Sequence, residues 1–110
     1  MKFKMSTNIA VRTEQFSEAV NFYSKVLGFP NRSKNAELAD LDADPLTIFI
    51  DDDRGFVGPI LELFVDDLDS ARDYLIENGC KVVRWRGKGK DCYIQDPYGV
   101  IFNLWQEWDT

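Results

Sequence analysis

The chain contains no histidine, which removes imidazole as a metal ligand and as the activator of a nucleophile. Carboxylates, two thiols and a cationic run are left to do chemistry. Among the carboxylates Glu62 stands apart, because it is the one charged residue in Ile60-Leu61-Glu62-Leu63-Phe64-Val65. A carboxylate on such a strand is costly to bury without a partner. It calls for pairing with Arg12 or for a solvent-facing sheet margin. In a functional role, Glu62 with Phe64 and Trp105 would recognise a cationic or amine-bearing ligand through charge and ring face. It is also the one credible acid–base group for an enzyme.

The other candidates are weaker. Cys80 and Cys92 fall at different heights of an expected hairpin in which Trp85 faces Cys92, about 17 Å apart at strand rise, too far for a disulfide. Lys81, Arg84, Arg86, Lys88 and Lys90 cluster with Gly87 and Gly89 in one short stretch. That stretch reads first as a solvated hairpin tip and second as a recruiter of anions or acidic ligands. Asp51-Asp52-Asp53 lacks the spaced oxygen ligands and closing glutamate of the best-known calcium loop and reads as part of a linker. No Ser–His–Asp arrangement or phosphate-cradling glycine loop occurs.

These residues need elements to position them. The 110 residues are 45% hydrophobic and 14% aromatic, enough for one core. A net charge of −6 repels phosphate backbones, so no nucleic-acid partner is expected. No apolar run is long enough to span a bilayer and none resembles a signal peptide, so the expectation is a cytoplasmic protein without a membrane partner. Ile9 to Arg12 alternates as a strand, and Thr13-Glu14 opens a helix whose apolar face is Phe16, Ala19, Val20, Tyr23, Val26 and Leu27, stopped by Gly28. The second half repeats this order: a strand over 60–65, a cap at Asp66-Asp67, a face of Leu68, Ala71, Tyr74 and Leu75, and a stop at Gly79. One offset of 52 residues matches Phe16 with Leu68, Ala19 with Ala71, Phe22 with Tyr74 and Asn8 with Ile60, which indicates an internal duplication. Three short strands are expected after each helix: 30–32, 36–41 and 46–50, then 81–86, 92–95 and 101–105. Asp96-Pro97-Tyr98-Gly99 should turn the last two into a hairpin. The expected fold class is α+β, two tandem βαβββ modules (5–51 and 60–107, linked by 52–59) whose curved mixed sheets surround a shared cavity.

Phe22-Tyr23-Ser24-Lys25-Val26-Leu27-Gly28-Phe29, Val65-Asp66-Asp67-Leu68-Asp69 and Asp96-Pro97-Tyr98-Gly99 resemble the vicinal oxygen chelate superfamily over nearly the whole chain. That group includes glyoxalase I, extradiol dioxygenases, fosfomycin-resistance enzymes and bleomycin-resistance binding proteins. The resemblance implies a cavity formed by curved sheets, usually completed in a homodimer. In its metal enzymes it also implies ligands at Asn8, within 46–50, at Ile60 and at Asn103. Those positions hold two carboxamides, an isoleucine and a segment whose one polar residue is Thr47. Such a set does not suit a divalent ion, so neither metal nor cofactor is expected.

If the ligand-equivalent positions face inward, alternation brings Asn8, Ala10 and Arg12, then Ile60, Glu62 and Phe64, then Asn103 and Trp105 to the cavity. Ile9, Val11, Leu61, Leu63, Phe102 and Leu104 are left to pack on helices. Phe49, Trp85 and Tyr93 are further aromatic candidates for the same lining. The expected function is metal-free binding of a small organic molecule, sequestering an aromatic or cationic compound as drug-binding members of the superfamily do. The alternatives are a divergent lyase- or isomerase-like enzyme using Glu62, and an interaction module with a vestigial cavity.

Overall fold

The computed structural model describes residues 1–33 and 36–108. Its elements are β1 (Phe3–Thr13), α1 (Phe16–Asn21) running into a π-helical turn (Phe22–Val26), β2 (Leu38–Ala43), β3 (Leu46–Asp52), β4 (Gly58–Val65), α2 (Leu68–Glu77), β5 (Lys81–Trp85), β6 (Cys92–Gln95) and β7 (Ile101–Gln106). The class is α+β. The chain divides into two compact units, one of residues 7–60 and the other of residues 1–6 with 61–110.

In the first unit β1 and β3 pair in parallel, Asn8 beside Thr47, Ala10 beside Phe49 and Arg12 beside Asp51. β2 lies antiparallel on the far side of β3. A parallel pair needs a long crossover, and α1 with its π turn forms part of it. Val11, Ile48, Ile50, Ala39 and Leu41 pack with Phe16, Ala19, Val20, Tyr23 and Phe29 into one core. The expected strand over 30–32 is reduced to a single bridge between Asn31 and Leu41. Two bonds flank it: the Arg32 amide donates to the Asp40 carbonyl at 2.8 Å and the Asp42 amide to the Pro30 carbonyl at 2.9 Å. Pro30 has no amide hydrogen to extend the ladder, and the Ser33 amide bonds to the Asn31 side chain instead. The next strand starts at Leu38, two residues later than expected.

The second unit repeats this topology. β4 and β7 are parallel, Glu62 beside Asn103 and Phe64 beside Trp105. β6 is antiparallel to β7, and β5 to β6. Val65, Leu68, Ala71, Cys92, Ile94 and Leu104 form its buried core, with Phe3, Leu63, Leu75 and Trp85 against them. Asp67 caps α2 by accepting from the Ser70 amide. The hairpin turn is held by Asp96, whose Oδ1 accepts from the amides of Tyr98 and Val100 at 2.8 and 2.9 Å.

The two helices differ in a way that the sequence explains. Phe16 to Gly28 is one residue longer than Leu68 to Gly79, so the offset of 52 at the helix starts becomes 51 at the glycine stops. The π turn absorbs the extra residue. The Leu27 amide donates to the Phe22 carbonyl, and the closing bond runs from Phe29 back to Tyr23, where its counterpart in α2 runs from Cys80 to Leu75. The expected continuous α-helix is therefore interrupted. Its cap also differs: Gln15 is the N-cap residue without a side-chain bond, and the Thr13 hydroxyl accepts from the Gln15 amide.

Gly79 is required twice over. Its φ is +96°, and a Cβ would stand 3.0 Å from Pro97 Cγ. Gly79→Ala should lower stability by about 1–2 kcal/mol, read as an earlier urea midpoint with an unchanged denaturant slope. An unaltered midpoint would show that the helix stop and the hairpin turn adjust freely.

Candidate functional site

Strand alternation decides which side chains share a face. In the second unit Leu63, Val65 and Leu104 pack against α2, so Glu62, Phe64, Asn103 and Trp105 project from the opposite face as two adjacent pairs. Tyr93, beside Asn103, joins them. The ammonium of Lys4 stands 6.0 Å from the Phe64 ring centroid and 4.8 Å from that of Trp108. The result is a carboxylate among aromatic rings that already hold one cation.

Not every expected residue belongs to this face. Trp85 pairs with Cys92 and packs into the α2-side core, with the Arg72 guanidinium 4.8 Å from its ring centroid. As Cys92 and Tyr93 are neighbours on one strand, a ring opposite Cys92 points away from Tyr93's face; Trp85 is removed from the candidate lining. Tyr93 is on the expected face but is 1% exposed, with the Arg84 guanidinium 5.6 Å from its ring centroid. Ile60 is buried as well. Asn103 is committed: its Oδ1 accepts from the Cys92 amide at 3.0 Å and its Nδ2 donates to Asp91 at 3.1 Å. It fastens the start of β6 to β7.

In the first unit the face away from α1 carries Asn8, Ala10, Arg12, Thr47 and Phe49, by the register of β1 with β3. Asp40 and Asp42 join it from β2. Arg12 is buried and pairs with Asp51, with the Asp53 carboxylate 3.9 Å away. Asp53 also accepts from the amides of Gly55 and Phe56, so the aspartate run anchors a guanidinium and shapes the connector. Arg32 bridges Asp40 at 2.9 Å and donates to the Thr47 hydroxyl at 3.3 Å. A pocket of about 330 Å³ in this unit is lined by Phe16, Ala36, Glu37, Asp51 and Asp52.

The positions that the resemblance equates with metal ligands are poor donors. The register puts Thr47 beside Asn8. Ile60 has no donor atom, and both amide atoms of Asn103 are engaged within the protein. None of these positions supplies the imidazole or carboxylate donor that a divalent metal needs. Among the described residues, no three His, Cys, Asp or Glu side chains form a group that could hold a metal ion.

Solved structures share this fold. Hypothetical protein BH1468 from Bacillus halodurans C-125 superposes with a TM-score of 0.69 at 13% identity, over 100% of this chain and 98% of that one. A glyoxalase/bleomycin resistance protein/dioxygenase superfamily member from Vibrio splendidus 12B01 gives 0.68 at 16% identity, over 96% and 100%. This chain has the glyoxalase/bleomycin resistance/dioxygenase fold. Methylmalonyl-CoA epimerase from Mycobacterium tuberculosis superposes at 0.61 with 20% identity, over 96% and 88%. No family model and no curated protein matches the sequence. At these identities the likeness shows the fold alone, and that fold carries enzymes as well as binding proteins.

Neither thiol is an activated nucleophile. Burial pushes the Cys92 thiol up to about 11, against a smaller downward pull from Arg72, and burial likewise raises Cys80. Both cysteines are free. The folded state therefore favours the neutral thiol at Cys92 and the unfolded state ionises first. Cys92's contribution to stability is complete below pH 9, its ordinary value, and is lost as pH rises through about 11. Cys92→Ala, compared with the parent by urea unfolding across that range, should show the shallower alkaline decline; equal declines would contradict the assignment.

The Asn103 fastening is separately testable. Asn103→Ala leaves a backbone amide unpaired and should cost about 1–3 kcal/mol. Hydrogen exchange at the Cys92 amide should speed up. Unchanged exchange there would mean that the bond carries nothing.

Proposed function

We propose that the protein is a metal-free small-molecule-binding protein of the glyoxalase/bleomycin-resistance type, taking an aromatic or cationic organic compound on the second module's sheet face. Glu62, Phe64 and Trp105 are its recognition residues. The observation that carries this reading is the side-by-side placement of Glu62–Asn103 and Phe64–Trp105 on the face away from α2. A carboxylate next to ring faces is the chemistry that selects an organic cation. Lys4 supports it by placing its own ammonium over Phe64. The carboxamide of Asn103, engaged by the Cys92 amide and Asp91, favours recognition without a metal. A homodimer in the cytoplasm is the setting in which this activity is proposed.

The test is a titration with phenyltrimethylammonium, followed by tryptophan fluorescence, against its neutral isostere tert-butylbenzene. The cation should bind more tightly. Glu62→Gln should weaken it by about tenfold, the equivalent of about 1.4 kcal/mol. Equal affinity of parent and variant, or a preference for the neutral compound, would overturn the reading. Glu62 acting as a proton donor or acceptor would instead show as loss of turnover with binding retained.

A further inference from the structure

The cationic stretch of the second module has a place in the fold that its reading as a solvated tip does not use. Five of the chain's thirteen Lys and Arg residues fall between Lys81 and Lys90, with no acid among them. After β5 the chain turns through Gly87 and Gly89, both at positive φ, 113° and 77°, and the Lys90 amide closes the turn on the Gly87 carbonyl at 3.2 Å. This turn lies against the start of α2 and the end of β7. Between them is a half-open pocket of about 250 Å³, walled by Lys88, Gly89 and Lys90, floored by Leu68 and bounded by Trp105 and Gln106.

The charges around this pocket do not cancel. Its one acid, Asp69, is drawn to Arg72 through Oδ1 at 3.3 Å, and its other oxygen is 3.7 Å from Lys88 Nζ. Arg72 is itself held over the Trp85 ring. Asp69 is thus already countered from the helix side, while Lys88 and Lys90 are exposed. The Lys88–Asp69 pair is well solvated and opens easily. Gln106 adds a donor: its Oε1 accepts from the Leu68 amide at 2.8 Å, which leaves its NH2 end for a guest. Three donors therefore surround a space that Leu68 and Trp105 also line.

We propose that this pocket is a second binding site, selective for small organic monoanions with a flat apolar body. The carboxylate engages Lys88 and Lys90, and the body lies against Trp105 and Leu68. The site does not rest on the function proposed above. It shares only Trp105 with that face and prefers the opposite charge.

Benzoate is the probe, titrated into 15N-labelled protein, with benzamide and benzylamine as neutral and cationic counterparts. Benzoate should saturate at millimolar concentration or below and move the amide resonances of Leu68, Asp69, Lys88, Gly89, Lys90 and Gln106 together. Lys88→Gln/Lys90→Gln should weaken it by about fivefold or more, whereas Asp69→Asn, which removes the competing carboxylate, should tighten it. Glu62→Gln should leave it unchanged, which separates failure here from failure of the cation site. Absence of saturable shifts at the turn, equal shifts with benzamide or benzylamine, or undiminished affinity in the double lysine variant would overturn the proposal.

Discussion

The parallel pairing of the first and last strand of each module is the constraint on which the rest depends. A parallel pair cannot be joined by a tight turn, so a helix must cross over, and that helix covers one face of the sheet. In the second unit α2 takes the face of Leu63, Val65 and Leu104. The period of two then assigns Glu62, Phe64, Asn103 and Trp105 to the other face in fixed pairs. A carboxylate among aromatic rings is thus a consequence of strand geometry. A one-residue slip of β7 against β4 would send Trp105 to the helix and Leu104 to the site.

The first unit has the same pairing with different chemistry. The pair equivalent to Glu62–Asn103 is Ala10–Phe49, so the first module's face offers a ring where the second offers a carboxylate and a carboxamide. Its charged groups include the pairs Arg12 with Asp51 and Arg32 with Asp40. The hairpin tip of the second module gathers five of the thirteen Lys and Arg residues of an acidic chain.

Much of this was legible in the residues, for physical reasons. Apolar spacing marked the packed residues of both helices, but Val26, Leu27 and Tyr74 of the expected faces are exposed; the glycine stops at Gly28 and Gly79 are both at positive φ. The alternation of 61–65 and 102–105 assigned Leu63 and Leu104 to the helix side, where they pack. The Trp85–Cys92 pairing was also visible, although it should at once have excluded Trp85 from Tyr93's face. The π turn was concealed because its signal is a difference of one residue between two repeats. The loss of the strand at 30–32 turns on one proline and one asparagine side chain. Asn103 looked like a former metal ligand, and its use as a fastening depends on a long-range bond to the Cys92 amide that no local pattern announces. The pocket under the hairpin tip depends on where that tip lands, which charge spacing along the chain does not specify.

Native mass spectrometry of the purified protein addresses the central claim most directly, because one spectrum reports subunit count, bound metal and retained organic mass. The account predicts a species without stoichiometric metal that gains the mass of a small organic ligand. A stoichiometric divalent ion would contradict it.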